Sequence, residues 1–174
     1  MNRREAASAV IAGAAAMASV GVVEAAGSIV DVLVAHWKKS KELTLKVAEA
    51  MPAENYDYKP FADAGAFGRE LIHIGQAEGF YLGNLGKGKA PTAPPPTAPK
   101  EAVAKFLGEN FDWAIGVVGQ LTDADLGKTM ATMRGTAMTG MDIVYNAMIH
   151  TAHTRGYVEM YLRNKGVVPP TYSV

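Results

Sequence analysis

The chain has 174 residues, enough for one domain with a proper core. Its 17 Lys and Arg balance its 17 Asp and Glu, which removes both a basic field for nucleic acid and an acidic tail. It contains no cysteine, so disulfides, thiolate zinc sites and cysteine nucleophiles are excluded together, and any metal would be held by His, Asp, Glu or water.

The N-terminus reads as an address before it reads as a fold. Arg3 and Arg4 precede an alanine-rich apolar run over residues 6–23, and Glu24-Ala25-Ala26-Gly27 follows. A basic start, an apolar middle and small residues at the end describe a secretory signal peptide spanning residues 1–26, cut after Ala25 or Ala26. The Arg3-Arg4 pair suggests a twin-arginine type, although Glu5-Ala6-Ala7 lacks the bulky apolar residues that usually follow such a pair. Export, to the periplasm, is the expectation. A retained anchor and a buried first helix are the alternatives. No other segment is apolar enough to span a membrane, so the mature part carries no stable span.

Residues 28–51 carry Val30, Leu33, Val34, Trp37, Leu43 and Val47 at helical spacing, with Lys38, Lys39, Lys41 and Glu42 as the solvated face. His36 reads as an ordinary, partly exposed histidine. Met51-Pro52 stops the helix, because a residue before proline avoids the α region. The aromatic connection Tyr56-Asp57-Tyr58-Lys59-Pro60 is turn-rich and suited to packing rings over one end of a bundle. Residues 67–85 predict a second helix, with Phe67, Leu71, Ile74, Ala77, Phe80, Tyr81 and Leu85 as its stripe and His73 and Gln76 beside it. Taken alone, His73 reads first as a hydrogen-bonded core residue.

Residues 86–100 include Pro94-Pro95-Pro96, which enforces extended geometry. The length of this linkage implies that helices two and three are not tight neighbours in a simple hairpin, and a long crossover is one known way to wire four helices. Residues 100–120 predict helix three. Residues 128–140 fit either a short hairpin or an irregular loop. Thr139 then starts a last helix over residues 141–165, with Asp142 placed for a capping box and Gly166 for a C-cap. The fold class expected is all-α, a four-helix bundle with a long crossover between helices two and three, over residues 27–174.

The last helix contains His150 and His153. Residues three apart lie on adjacent turns with Cβ atoms about 5–6 Å apart, a geometry that can hold a metal or frame a pocket. Two motifs stand out: Leu71-Ile72-His73-Ile74-Gly75-Gln76-Ala77-Glu78, and the run from His150 to Gly156 followed by Tyr161-Leu162-Arg163-Asn164-Lys165-Gly166. With Trp37-Lys38-Lys39-Ser40 and Tyr56-Asp57-Tyr58-Lys59-Pro60 ahead of them, their order and spacing resemble the DinB family of four-helix bundles, nearly end to end over the mature chain.

That resemblance implies one divalent metal, zinc or nickel, held by three histidines, one on helix two and two on helix four at i, i+4. By position His73 matches the first and His150 the second. The third falls on Thr154, and the glutamine that often follows the glycine is Tyr157 here. Threonine is a poor neutral ligand for either metal. His153, one residue early and turned by about 100° from Thr154, either replaces the missing ligand or points elsewhere over a degenerate site. The resemblance further implies a homodimer, and a metal-dependent transferase or hydrolase acting on a small molecule, in some relatives with a small thiol. Arg155, Tyr157 and Gln76 would then surround the site, with Arg155 able to grip an anionic group. Spacing gives no reason to name Glu78 or Glu159 as a base. The alternative is a non-catalytic bundle that binds a small molecule or a partner.

Overall fold

A computed structural model describes residues 27–90 and 93–172. The proposed signal peptide, residues 1–26, lies outside the described residues. Among those described, the fold is mostly helical: α1 (Ile29–Ala50), α2 (Phe67–Leu82), α3 (Lys100–Val118), a short α4 (Asp123–Gly127) and α5 (Gly140–Asn164). The segment ahead of the last helix, compatible in sequence with a hairpin or a loop, is a hairpin, β1 (Thr129–Met133) paired antiparallel with β2 (Thr136–Thr139). No helix among the described residues is long and apolar enough to cross a membrane.

The helix ends follow local chemistry. Ser28, Thr122 and Thr139 each build a full capping box, with Asp31, Asp125 and Asp142 at the third helical position. At the far end of α5, Gly166 takes φ 74°. Its N–H donates to Arg163 and that of Val167 to Leu162, the paired bonds of a Schellman stop.

The four long helices pack around one core that includes Trp37, Phe67, Leu71, Phe111, Val144 and Leu162. α2 packs against α3 and α5, and α1 against α3 and, more lightly, α5. Chain direction follows from three contacts. Lys100, opening α3, donates to the carbonyls of Glu49 and Met51 at the close of α1. Gly68, opening α2, lies against Ala98. Tyr161, near the close of α5, donates to the carbonyl of Gly65. So α2 and α3 start at the end where α1 and α5 finish.

The packing shows how the long linkage is used. α2 and α3 are close neighbours. They run parallel, so they form no hairpin, and the long linkage is used to bring the chain back along the helix it has just left. Arg69 holds this return by donating to the carbonyls of Pro95 and Pro96. Close approach depends on glycine: a Cβ on Gly75 would fall 2.6 Å from Cε1 of Phe106 on α3, and one on Gly68 would fall 2.9 Å from the Ala98 carbonyl oxygen. At the same end the aromatic connection packs inward as expected. Tyr56 donates to the Ala48 carbonyl at 2.6 Å and meets Phe67 edge-on.

The buried polar side chains among the described residues include Arg155 and Glu78. Arg155 is 9% exposed and donates to Ser40 Oγ at 3.1 Å and Thr44 Oγ1 at 3.3 Å, bracing α5 on α1. Glu78 is 0% exposed; Thr151 Oγ1 donates to its Oε1 over 3.5 Å, and Oε2 has no protein partner. Burial pushes the Glu78 carboxyl well above its ordinary 4.5, only partly countered by Thr151. A carboxyl whose folded pKa is raised favours the fold fully below the unfolded value and loses that advantage as pH climbs toward the folded one. Glu78→Gln mimics the neutral acid. Its stability relative to the native protein should therefore rise as pH increases above 4.5, with a slope of at most about 1.4 kcal/mol per pH unit, the value for one proton. Urea unfolding at a series of pH values checks this; a difference independent of pH would mean that Glu78 titrates alike in folded and unfolded chains.

Candidate functional site

The antiparallel packing of α5 on α2 brings together residues far apart in sequence. His73 and His150 face each other with ring centroids 4.9 Å apart, edge to face. They border a cavity of about 310 Å³ lined also by Glu70, His153, Thr154 and Tyr157. Helix geometry explains the membership. At about 100° per residue, His153, Thr154 and Tyr157 all lie within about 60° of His150 around α5. Arg155 lies about 140° away, which is why it braces α1.

Arg155 therefore does not line the cavity, contrary to the expectation that it would grip an anionic group there. Gln76 lies farther along, in an adjoining cavity that also includes His73 and His150. Tyr157 is 38% exposed, and its hydroxyl shares a hydrogen bond of 3.0 Å with that of Tyr161. His36 is exposed. Glu78 points into the core, and Glu159 is absent from the cavity lining. Glu70 is a lining residue that sequence reasoning passed over.

His150 carries the most telling environment. Its Nδ1 is buried with no protein hydrogen-bond partner. Burial, then the neighbouring charges of His73 and His153, push its pKa below the ordinary 6.5. Its imidazole is thus biased toward the neutral form, in which a ring nitrogen can accept a hydrogen bond.

The donors can be tested against a zinc or nickel centre. Two imidazoles are juxtaposed and one has an unpartnered buried nitrogen. The third expected position is the buried hydroxyl of Thr154, 5% exposed. Among the described residues no group of three His, Asp or Glu side chains is placed to hold a metal ion. The residues as arranged do not fit the three-histidine centre.

The comparisons with known proteins agree with this architecture. The DinB family model matches residues 24–174. The chain belongs to the DinB family. It is similar to the uncharacterized protein YjoA of Bacillus subtilis, 24% identical over 138 residues, covering 77% of this chain and 89% of that one. Among solved structures, a DinB-like protein from Bacillus cereus superposes with a TM-score of 0.74 at 19% identity, covering 84% of this chain and 98% of that one. The structure of YjoA gives 0.68 at 20% identity, covering 81% and 96%. At such identities the structures show a shared DinB fold, and the chemistry rests on this chain's own side chains.

The His150 environment has a measurable consequence. A histidine with a depressed folded pKa stabilises the fold above the unfolded value, and that contribution is lost as pH falls through the folded one. In a proton NMR titration His150 should show a midpoint below 6.5, and His73→Gln should move it upward by removing a neighbouring charge. A native midpoint at or above 6.5 would contradict the burial argument.

Proposed function

We propose that this is an exported DinB protein whose cleft, centred on His73 and His150, binds a small molecule beside an incomplete metal centre. One observation carries the reading: the imidazoles meet at 4.9 Å while the third donor position is a threonine hydroxyl. Two imidazoles alone make a weak, open site for zinc or nickel, because stable centres of this kind use three or four protein ligands. The chemistry available to the chain itself is proton handling. Neutral His150 can accept a proton or hydrogen bond from a ligand, and the Tyr157 hydroxyl can orient it.

A metal-dependent transferase or hydrolase, served in some arrangements by a small thiol, is the second reading. It is favoured by His153, which lines the same cavity one residue from the expected ligand. The two readings differ in metal content. Protein purified with zinc and nickel supplied should carry either metal far below one per chain, and Thr154→His should raise affinity at least about tenfold, or ~1.4 kcal/mol. One tightly held metal per native chain would replace the first reading with the second.

Export is supported by Arg3-Arg4, the apolar run and the small residues before Gly27. The capping box of Ser28 opens the described fold two residues beyond Ala26. N-terminal sequencing of periplasmic material should begin at Ala26 or Gly27; exported protein that retains Met1 would refute cleavage.

A further inference from the structure

The space over the imidazole pair continues along α2 and α5. A cavity of about 610 Å³ has His73 and His150 on its wall together with Phe80, Tyr81 and Arg134. Phe80, Tyr81 and Arg134 also line a third cavity, of about 420 Å³, that reaches Met133 and Met138 on the hairpin. The shared residues join the cavities into one groove, running from Tyr157 past the imidazoles to the β1–β2 turn.

Its middle has a distinct character. Phe80 is 54% exposed and meets Tyr81 edge-on at 5.2 Å, and Tyr81 tilts against His150 at 6.0 Å. This is an aromatic shelf open to solvent. Among the described residues no carboxylate lines this part of the groove, whose polar side chains include His73, Gln76, Tyr81, His150 and Arg134. Asp142 lines only the hairpin end, and its carboxylate accepts from the N–H and hydroxyl of Thr139 in the α5 cap.

Arg134 is the second clue. It has φ 49°, the one non-glycine with positive φ among the described residues, and is followed by Gly135 at φ 82°. Met133 pairs with Thr136, so Arg134 and Gly135 form a two-residue hairpin loop. Asn, Asp and Gly adopt this left-handed geometry with least strain. An arginine here retains strain and places a permanently charged residue on the wall of both cavities. Among the described residues no carboxylate lies within ion-pair reach of it.

We propose that the groove binds a small amphiphilic carboxylate, with its aryl or short acyl body on Phe80 and Tyr81 and its carboxylate held by Arg134. This assigns a ligand class to the cleft and rests on the reading of that cleft as a small-molecule site. A carboxylate suits the guanidinium fork, and an apolar body suits a shelf of rings. Arg134 is the specificity residue; the imidazole pair meets whatever the ligand carries at its other end.

The test compares 3-phenylpropionate with its neutral amide, 3-phenylpropionamide, by amide NMR titration of the purified protein with EDTA present. The carboxylate should bind at least about tenfold more tightly and shift the resonances of Phe80, Arg134 and His150. Arg134→Asn should lower its affinity to that of the amide and leave amide binding unchanged. Asparagine takes the left-handed turn readily, so the melting temperature should not fall, which separates lost binding from lost folding. Equal affinity for the two probes, or an Arg134→Asn protein that keeps the preference, would overturn the proposal. Shifts confined to the His73–His150 cavity would overturn it while leaving the cleft reading intact. Shifts at neither surface would overturn both.

Discussion

Everything distinctive here depends on the register of α5 against α2. The two helices run antiparallel. One alignment sets His73 opposite His150, Glu78 opposite Thr151, and the Gly65 carbonyl opposite Tyr161. A slip of one residue would turn each α5 side chain by about 100° and break all three pairings together. Apolar packing alone discriminates weakly among such slips, since Val, Ile and Leu substitute for one another at modest cost. The buried polar pairs penalise each alternative by stranding a donor or acceptor. The cleft is the solvent-facing edge of the same alignment.

Within that frame, α5 divides its work around its circumference. His150, His153, Thr154 and Tyr157 face the cleft, Thr151 faces Glu78, and Arg155 reaches α1. The charged and hydrogen-bonding residues after His150 thus serve three neighbours. Burial shapes the inner groups: it raises the Glu78 pKa, lowers that of His150, and leaves Arg155 to donate to the hydroxyls of Ser40 and Thr44. Desolvation makes each charge expensive, and the fold meets that cost by neutralising or by hydrogen bonding.

Much of this was legible in the chain because it is local. The capping box at Thr139, the Gly166 stop and the 3.6-residue stripes each lie within a few positions, and the structure follows them. The approach of His73 to His150 was legible through the family resemblance. What escaped was set by tertiary placement. Arg155 looked like a ligand-gripping residue because it adjoins Thr154, but one step along a helix is a 100° turn. Glu78 fell on the buried stripe at i+4 from Ile74 and i+7 from Leu71, a signal available in the spacing; its charge argued for solvent. The long linkage argued against a simple hairpin of helices two and three; that they are close, parallel neighbours was not legible in it. Arg134 gave no periodic signal, and its place beside Phe80 and Tyr81 emerges only in the folded chain.

The close contact of α2 with α3 bears on the site from behind. Gly75 and His73 are two residues apart, which sets them on nearly opposite sides of α2. The glycine side rests backbone-close on Phe106 with no side chain between. α2 is therefore a thin wall, one face seated hard against its neighbour and the other carrying the imidazole. A larger residue at Gly75 would have to displace the Phe106 ring or move α2 off α3, and His73 rides on the same helix. The imidazole pair thus shares its wall with a glycine that never touches it.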